Sequence, residues 1–323
     1  MTTVFVPTKS NGTALLSYQI AYDSASVDAS PSYSLNSVTD SKFEAALGRG
    51  WHVNVPDYEG PLASFTAGLM SGYATLDSVR AALSCREMLG ISPDARYAMY
   101  GYSGGALGAG WAAELQSQYA PELKSSGVAL VGLAPSIPSV LESVGGKMDA
   151  ALIPHSILGF MSQYPEMQEE FNKQIKTEGP RNATGFMAAK QLAFKQSVFV
   201  YIFQNIFDYF KDGKAVLQIP SVAKILAENE MGNHGVPQMP LLVYKAKKDD
   251  ISKIQDTDDL VDKYCKAGAN ILYERNTVGN HLQEDSLGFR KALEWLSTVF
   301  DGTYNKTYSS QGCTIRDVTV TPP

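Results

Sequence analysis

The chain has 323 residues, 44% hydrophobic and 19% charged, close to the soluble globular average, which argues against disorder, collagen-like repeats and a coiled coil. At roughly 150 residues per domain, the length points to a single core with one sizeable insertion. Lys plus Arg number 27 against 33 Asp plus Glu, a net charge of −6, so no basic footprint for nucleic acid is present.

The longest charge-free stretches, 60–76, 97–113 and 125–141, are all interrupted by Gly, Ser or Pro, and no transmembrane helix is predicted. Residues 4–7, 15–22 and 51–55 read as strands, being rich in β-branched or aromatic residues and bounded by turn formers. A short helix over 41–47 separates the last two. From 62 to 89, Leu62, Phe65, Leu69, Leu76, Val79 and Leu83 recur at helical spacing, with Pro61 suited to the first turn. Residues 96–102 form an aromatic-rich strand, 104–119 a small-residue helix, and 127–134 an apolar strand without polar alternation, expected to be buried on both faces. The alternation resumes with strand 241–246, helix 256–267, strand 269–276 and helix 286–300. Strands alternating with helices imply a parallel sheet and an α/β fold.

Between Pro138 and Pro237 the alternation stops and the residues read as apolar helices, so the expected organisation is a core of 1–137 and 238–323 with an inserted helical unit at 138–237. Phe199, Tyr201, Phe203, Phe207, Tyr209 and Phe210 crowd one stretch of it, as a helix core or as an apolar wall facing a ligand. The tail after Phe300, ending Thr321-Pro322-Pro323, reads as a loose terminus. Three cysteines allow one bridge and one free thiol, and Cys85 falls in a helical pattern that suits a small buried thiol. Asn11, Asn182 and Asn305 each begin an N-x-S/T sequon in a polar stretch and are candidate glycosylation sites. The opening MTTVFVPTKS has no basic region followed by a long apolar run, so it does not read as a secretory signal.

Gly101-Tyr102-Ser103-Gly104-Gly105 matches G-x-S-x-G at a predicted strand-to-helix junction, the context in which that motif presents a nucleophilic serine. The helix beginning at Gly104 would aim its unpaired N–H groups at developing negative charge, making the Gly104 N–H an oxyanion donor. A serine needs a base near neutral pH, and there are four histidines: His52, His155, His234 and His281. His52 lies in a strand and reads as a packed or surface residue; His155 and His234 lie in the insertion and read as lid or surface residues. His281 alone follows the last strands, as the order Ser, acid, His requires. The acid should leave the preceding strand, and 241–246 runs into Lys247-Lys248-Asp249-Asp250. Asp249 is the first choice and Asp250 the alternative. The G-x-G-x-x-A string at Gly108, Gly110 and Ala113 lies within a helix and reads as packing, and there is no H-E-x-x-H or C-x-x-C pattern, so neither metal nor organic cofactor is expected.

These motifs, with Val55-Pro56-Asp57-Tyr58-Glu59-Gly60-Pro61, Tyr119-Ala120-Pro121-Glu122-Leu123 and Gly279-Asn280-His281-Leu282, make the chain resemble the fungal secretory lipases of Candida-type yeasts over most of its length. The resemblance implies an α/β-hydrolase fold with a helical cap after the strand that follows the nucleophile helix. It implies nucleophile Ser103, acid Asp249, base His281, an oxyanion hole from Asp57 and Gly104, and a disulfide between Cys265 and Cys313 consistent with an extracellular setting. Asp57 would otherwise read as a helix-capping residue. The chain departs from the family pattern around the acid, where Lys245-Ala246-Lys247-Lys248 and Ile251-Ser252-Lys253 stand. The expected activity is hydrolysis of a carboxylic ester, foremost a triacylglycerol, through an acyl-enzyme, with the lipid or acyl ester met at a lipid–water interface. The alternatives are an esterase or deacetylase of a smaller acylated metabolite, and a catalytically silent lipid-binding protein.

Overall fold

The computed structural model describes residues 1–36 and 41–321. Its strands are β1 (Thr2–Phe5), β2 (Ala14–Gln19), β3 (His52–Pro56), β4 (Arg96–Tyr102), β5 (Ser125–Val131), β6 (Leu241–Ala246), β7 (Ile271–Asn276) and β8 (Cys313–Val318). They form one sheet in the order β1-β3-β2-β4-β5-β6-β7-β8, parallel throughout except that β1 runs antiparallel to β3. The helices are α1 (Pro31–Ser34), α2 (Ser41–Leu47), α3 (Gly68–Ser84), α4 (Arg86–Leu89), α5 (Gly104–Tyr119), α6 (Ile137–Val144), α7 (Leu152–Gln163), α8 (Pro165–Gln174), α9 (Ala183–Met187), α10 (Phe194–Tyr201), α11 (Pro220–Glu228), α12 (Ile254–Lys266), α13 (His281–Phe300) and α14 (Tyr304–Thr307). None of them is long and apolar enough to cross a membrane.

Both faces of the sheet are covered, which is why β2, β3 and β6 carry no exposed position. On one face Leu15, Met99, Leu130 and Val243 pack beneath α3 and α5, in a core that continues into α6, α7 and α11. On the other, Leu16, Ala98, Val131 and Tyr244 pack against Leu287, Trp295 and Leu296 of α13. All of α6 to α11 lie between β5 and β6 in the chain.

Four local expectations need correction. The helix expected from 62 starts at Gly68: Gly60, Ala63 and Thr66 have φ of 76°, 48° and 69°, and these left-handed turns prevent Pro61 from opening it. Cys85 is exposed, because α3 ends there and the chain leaves the packed face. The final helix begins at His281 and not at 286, since the Asn280 side chain accepts the Gln283 N–H at 3.2 Å and caps it. The tail is not loose as far as Val318: β8 pairs in parallel with β7, and Cys313 is bonded to Cys265 of α12. Pro322 and Pro323 lie outside the described residues. The aromatic stretch divides, with Tyr201, Phe207, Tyr209 and Phe210 buried and Phe199 and Phe203 exposed.

Candidate active site

Ser103 sits between β4 and α5 with φ of 53° and ψ of −121°, a conformation rarely adopted by residues with a side chain. The flanking glycines make the turn possible. A Cβ on Gly101 would lie 2.0 Å from the Gly105 carbonyl oxygen, and one on Gly105 would lie 2.0 Å from the Gln19 carbonyl oxygen. The Ser103 N–H donates to the Val131 carbonyl at 2.9 Å, fixing the turn to β5.

His281 opens α13 beside this turn and is 4% exposed. Its Nε2 lies 2.7 Å from Ser103 Oγ and its Nδ1 2.8 Å from Asp249 Oδ2. The Tyr102 hydroxyl donates to the His281 carbonyl at 3.0 Å, and the two rings pack with centroids 5.3 Å apart. Asp249 is buried: its Oδ1 accepts the N–H groups of Ile251 and Ser252 at 2.9 Å each, and its Oδ2 also accepts from Lys245 Nζ at 2.9 Å. Burial alone would raise this carboxyl's pKa, but the His281 hydrogen bond and the Lys245 charge outweigh it and hold the group well below the ordinary range. Asp249 is therefore ionised at any working pH. Asp250 meets His281 only through the backbone, accepting the His281 N–H at 3.2 Å.

The structure does not bring Asp57 to Ser103. Asp57 follows β3, and β2 stands between β3 and β4 in the sheet. Both its carboxylate oxygens are taken by Ser32, from N–H at 2.8 Å and Oγ at 2.6 Å, and it lines a different groove with Met1, Met70 and Tyr73. The carboxyl that faces the Ser103 turn is Asp23, just beyond β2, whose register sets Gln19 opposite Gly101. Asp23 has φ of 47° and is 7% exposed, and its Oδ1 has no hydrogen-bond partner. That oxygen lies so close to Gly104 that a Cβ there would be 1.9 Å from it. Burial pushes the Asp23 pKa up to about 7, offset in part by His281. Behind it the fully buried Glu59 is raised well above its usual range, by burial and then by the Asp23 carboxyl. The resembling segment thus reaches the site through Glu59 and not through Asp57. Sequence reading passed over Asp23, although its place just past a strand neighbouring the nucleophile strand was a usable signal.

The remaining histidines are engaged elsewhere. His155 is buried, accepts the Ala25 N–H on Nδ1 at 3.0 Å, and contacts Ser197 Oγ through Nε2 at 2.7 Å. Burial lowers its pKa to about 4, so it stays neutral and ties the Asp23 segment to α10. His52 donates to the Leu89 carbonyl and His234 to the Glu228 carbonyl. Among the described residues one group of three metal-type donors converges, Asp249, His281 and Glu284, within 4.8 Å of one another. Both ring nitrogens of His281 are committed, to Asp249 and to Ser103, so His281 has no nitrogen free to serve as a ligand in this group.

Ser103, His281 and Asp23 lie on the wall of a cavity of about 590 Å³. Met148, Leu152, Phe194 and Leu282 give it apolar surface, while Lys42, Asp149, Lys195, Asp250 and Asp285 bring charge to it. The arrangement sets a hydroxyl hydrogen-bonded to an imidazole on the wall of this cavity, with the Asp23 carboxyl close to Gly104.

The doubly wound sheet with a serine at the end of a central strand places the chain among the α/β-hydrolases, as carboxylic ester hydrolases are. Within that class the chain belongs to the secretory lipase family, whose model matches residues 34–307. It is 45% identical over 313 residues to the trichothecene C-3 esterase of Fusarium sporotrichioides, covering 95% of this chain and 70% of that protein. It is 36% identical to lipase A of Arthroderma benhamiae, covering 94% and 67%. Among solved structures it matches Candida antarctica lipase A in its closed state with a TM-score of 0.85 at 28% identity, over 98% of this chain and 77% of that one. The chain is an ester-hydrolysing enzyme of this family.

Proposed function

We propose that Ser103 is the nucleophile, His281 the general base and Asp249 the acid that orients it; the unbroken hydrogen-bond chain Ser103–His281–Asp249 on the wall of the cavity carries this reading. His281 takes the Ser103 proton as Oγ bonds to the ester carbonyl carbon. The oxyanion is met by the Gly104 N–H, which at the first turn of α5 has no intrahelical acceptor, and by the protonated Asp23 carboxyl. The proton then passes from His281 to the alkoxide oxygen as the C–O bond breaks and the alcohol leaves. Water attacks the acyl-enzyme by the same relay, releasing the acid and restoring Ser103.

The substrate is a lipid-like acyl ester. Met148, Phe199, Phe203 and Leu282 are 60%, 85%, 66% and 77% exposed, and Met148 and Leu282 line the cavity itself, as suits contact with a lipid–water interface. The segment 138–237 acts as a cap, since Leu152 of α7, Phe194 of α10 and Met148 of the loop between α6 and α7 come from it. The charged groups in the cavity, together with the 45% identity to a trichothecene C-3 esterase, favour a second reading in which a small acyl group is removed from a compact amphipathic alcohol. An extracellular setting is supported by the family and by the Cys265–Cys313 bond. Asn11 and Asn305 are exposed enough to carry glycans, whereas Asn182 caps α9 by accepting the Gly185 N–H.

The test is hydrolysis of p-nitrophenyl butyrate, p-nitrophenyl palmitate, emulsified triolein and an acetylated trichothecene by wild type and Ser103→Ala. Wild type cleaves at least one and Ser103→Ala none. Turnover of triolein selects the lipase reading, and deacetylation without triolein turnover selects the second. A folded wild type that cleaves none removes the catalytic assignment.

A further inference from the structure

The steps above make no use of a fully buried lysine beside the site. Lys245, at the end of β6, is 0% exposed, and its Nζ donates to Asp249 Oδ2 at 2.9 Å and to the Leu133 carbonyl at 2.8 Å. The oxygen it holds is the same Oδ2 that receives His281 Nδ1. Leu133 O is also the acceptor for Thr257 Oγ1 at 3.2 Å and Ser252 Oγ at 3.4 Å, so the carbonyl that anchors the lysine is itself fixed from α12 and the loop before it. A fully buried lysine is rare without a partner, and a buried ion pair is often no more stabilising than well-packed apolar residues of the same volume. Fold stability alone therefore gives no reason for a charge here, and the reason is to be sought in what the charge touches.

We propose that Lys245 is a positioning residue of the Ser103–His281–Asp249 relay: it clamps Asp249 Oδ2 opposite His281 Nδ1 and offsets the carboxylate charge, so that the resting relay is neutral as a unit. This rests on the catalytic roles proposed above. The other groups facing the relay leave that balance in place. From α13, Glu284 is raised well above the ordinary carboxyl range by burial, with the Lys245 charge opposing the shift, and Asp285 is paired with Lys42 of α2. From the loop after β6, Asp250 accepts the backbone N–H of His281. Asp149, ahead of α7, is raised by burial and by Asp250; Asp23, beyond β2, is protonated below about 7; Tyr102 of β4 stays neutral because burial raises it.

The consequence is a rate profile. An uncompensated Asp249 would favour the protonated imidazole, which cannot act as a base, so removing the lysine charge moves the acid limb of kcat/KM upward. The experiment compares the full-chain wild type with Lys245→Met and Lys245→Gln on p-nitrophenyl butyrate from pH 4 to 9, with thermal unfolding of each. The expected result is an acid limb displaced upward by about one pH unit, with roughly tenfold lower kcat/KM on that limb and a smaller change near the optimum. An acid limb that stays in place in a folded variant overturns the proposal. Failure of both variants to fold gives Lys245 a purely structural role and overturns it as well. Labelling of wild-type Ser103 by a fluorophosphonate separates the two levels of the argument: an unlabelled, inactive wild type removes the relay itself, while a labelled, active one with an unmoved limb removes only the part assigned to Lys245.

Discussion

Two turns meet at the cavity, and each holds a residue in the left-handed region, Ser103 at φ 53° and Asp23 at φ 47°. The turn at Ser103 is closed in by backbone on both sides, so Gly101 and Gly105 are forced and the sequence displays them. The turn at Asp23 has no glycine and no motif of its own. What distinguishes Asp23 is an environment: a buried carboxyl oxygen without a partner, set against Gly104. The difference teaches that a strained nucleophile turn announces itself locally, whereas a group that meets developing charge is defined by which strand ends lie side by side.

The comparison can be broken most severely at Ser103. Ser103→Ala should lower kcat by roughly 10⁵–10⁶-fold while leaving thermal unfolding within about 1 kcal/mol of wild type, measured with p-nitrophenyl butyrate and calorimetry. Gly105→Ala tests the geometry of the same turn by another route. Its Cβ would meet the Gln19 carbonyl at 2.0 Å, backbone against backbone, so both activity and folded yield should fall.

At Asp23 the expected effect is smaller and depends on pH. Asp23→Ala removes one donor to the oxyanion and should cost roughly 10²–10³-fold in kcat. The wild-type carboxyl can donate only while protonated, so with its pKa pushed up to about 7 the rate should fall as pH rises through that value. Asp23→Asn keeps a donor that does not titrate, and should retain activity to within about tenfold while the alkaline fall near pH 7 disappears. An alkaline limb that persists unchanged in Asp23→Asn would assign it to another group. Stability carries the same sign. Between the ordinary aspartate value of 3.8 and about 7 the native state binds a proton that the unfolded chain does not, so wild-type stability should decline with rising pH across that window, and Asp23→Asn should flatten the decline in urea titrations.

How far the sequence was legible follows from the same contrast. The alternation of strands and helices, the turn at Ser103 and the placement of His281 could be read from local pattern and chain order, because burial on both faces of a parallel sheet leaves apolar runs and the nucleophile turn leaves glycines. Asp249 was legible as the first acid out of β6. Asp57 was misplaced because the resemblance carried the oxyanion role to it by motif, and a motif does not say which acid of its segment turns toward the site. The fold answers that with Glu59, since Asp57 is one strand further out and bonded to Ser32. Strand β8 was missed because its residues, with only its ends partly buried, look like a polar tail. Its pairing with β7 and a bond to α12, not an apolar pattern, hold it at the sheet edge.

That edge supplies the mildest test, because it separates stability from chemistry. Cys265 and Cys313 are 48 residues apart in the chain and join α12 to β8, on the far side of β7 from β6 and the Asp249 loop. Removing the bond frees a long loop in the unfolded chain, and Cys265→Ala with Cys313→Ala should cost roughly 2–4 kcal/mol of stability. The pairing of β8 with β7 runs through six residue pairs, from Ile271↔Cys313 to Asn276↔Val318, and does not itself require the bond. The folded double variant should therefore keep kcat and KM for p-nitrophenyl butyrate within about twofold at 25 °C, with its midpoint of thermal unfolding lowered. A loss of kcat as large as that expected for Asp23→Ala would mean that the edge of the sheet is coupled to the relay, and the distinction between a locally built turn and a site assembled from neighbouring strand ends would then have to extend to the whole row from β2 to β8.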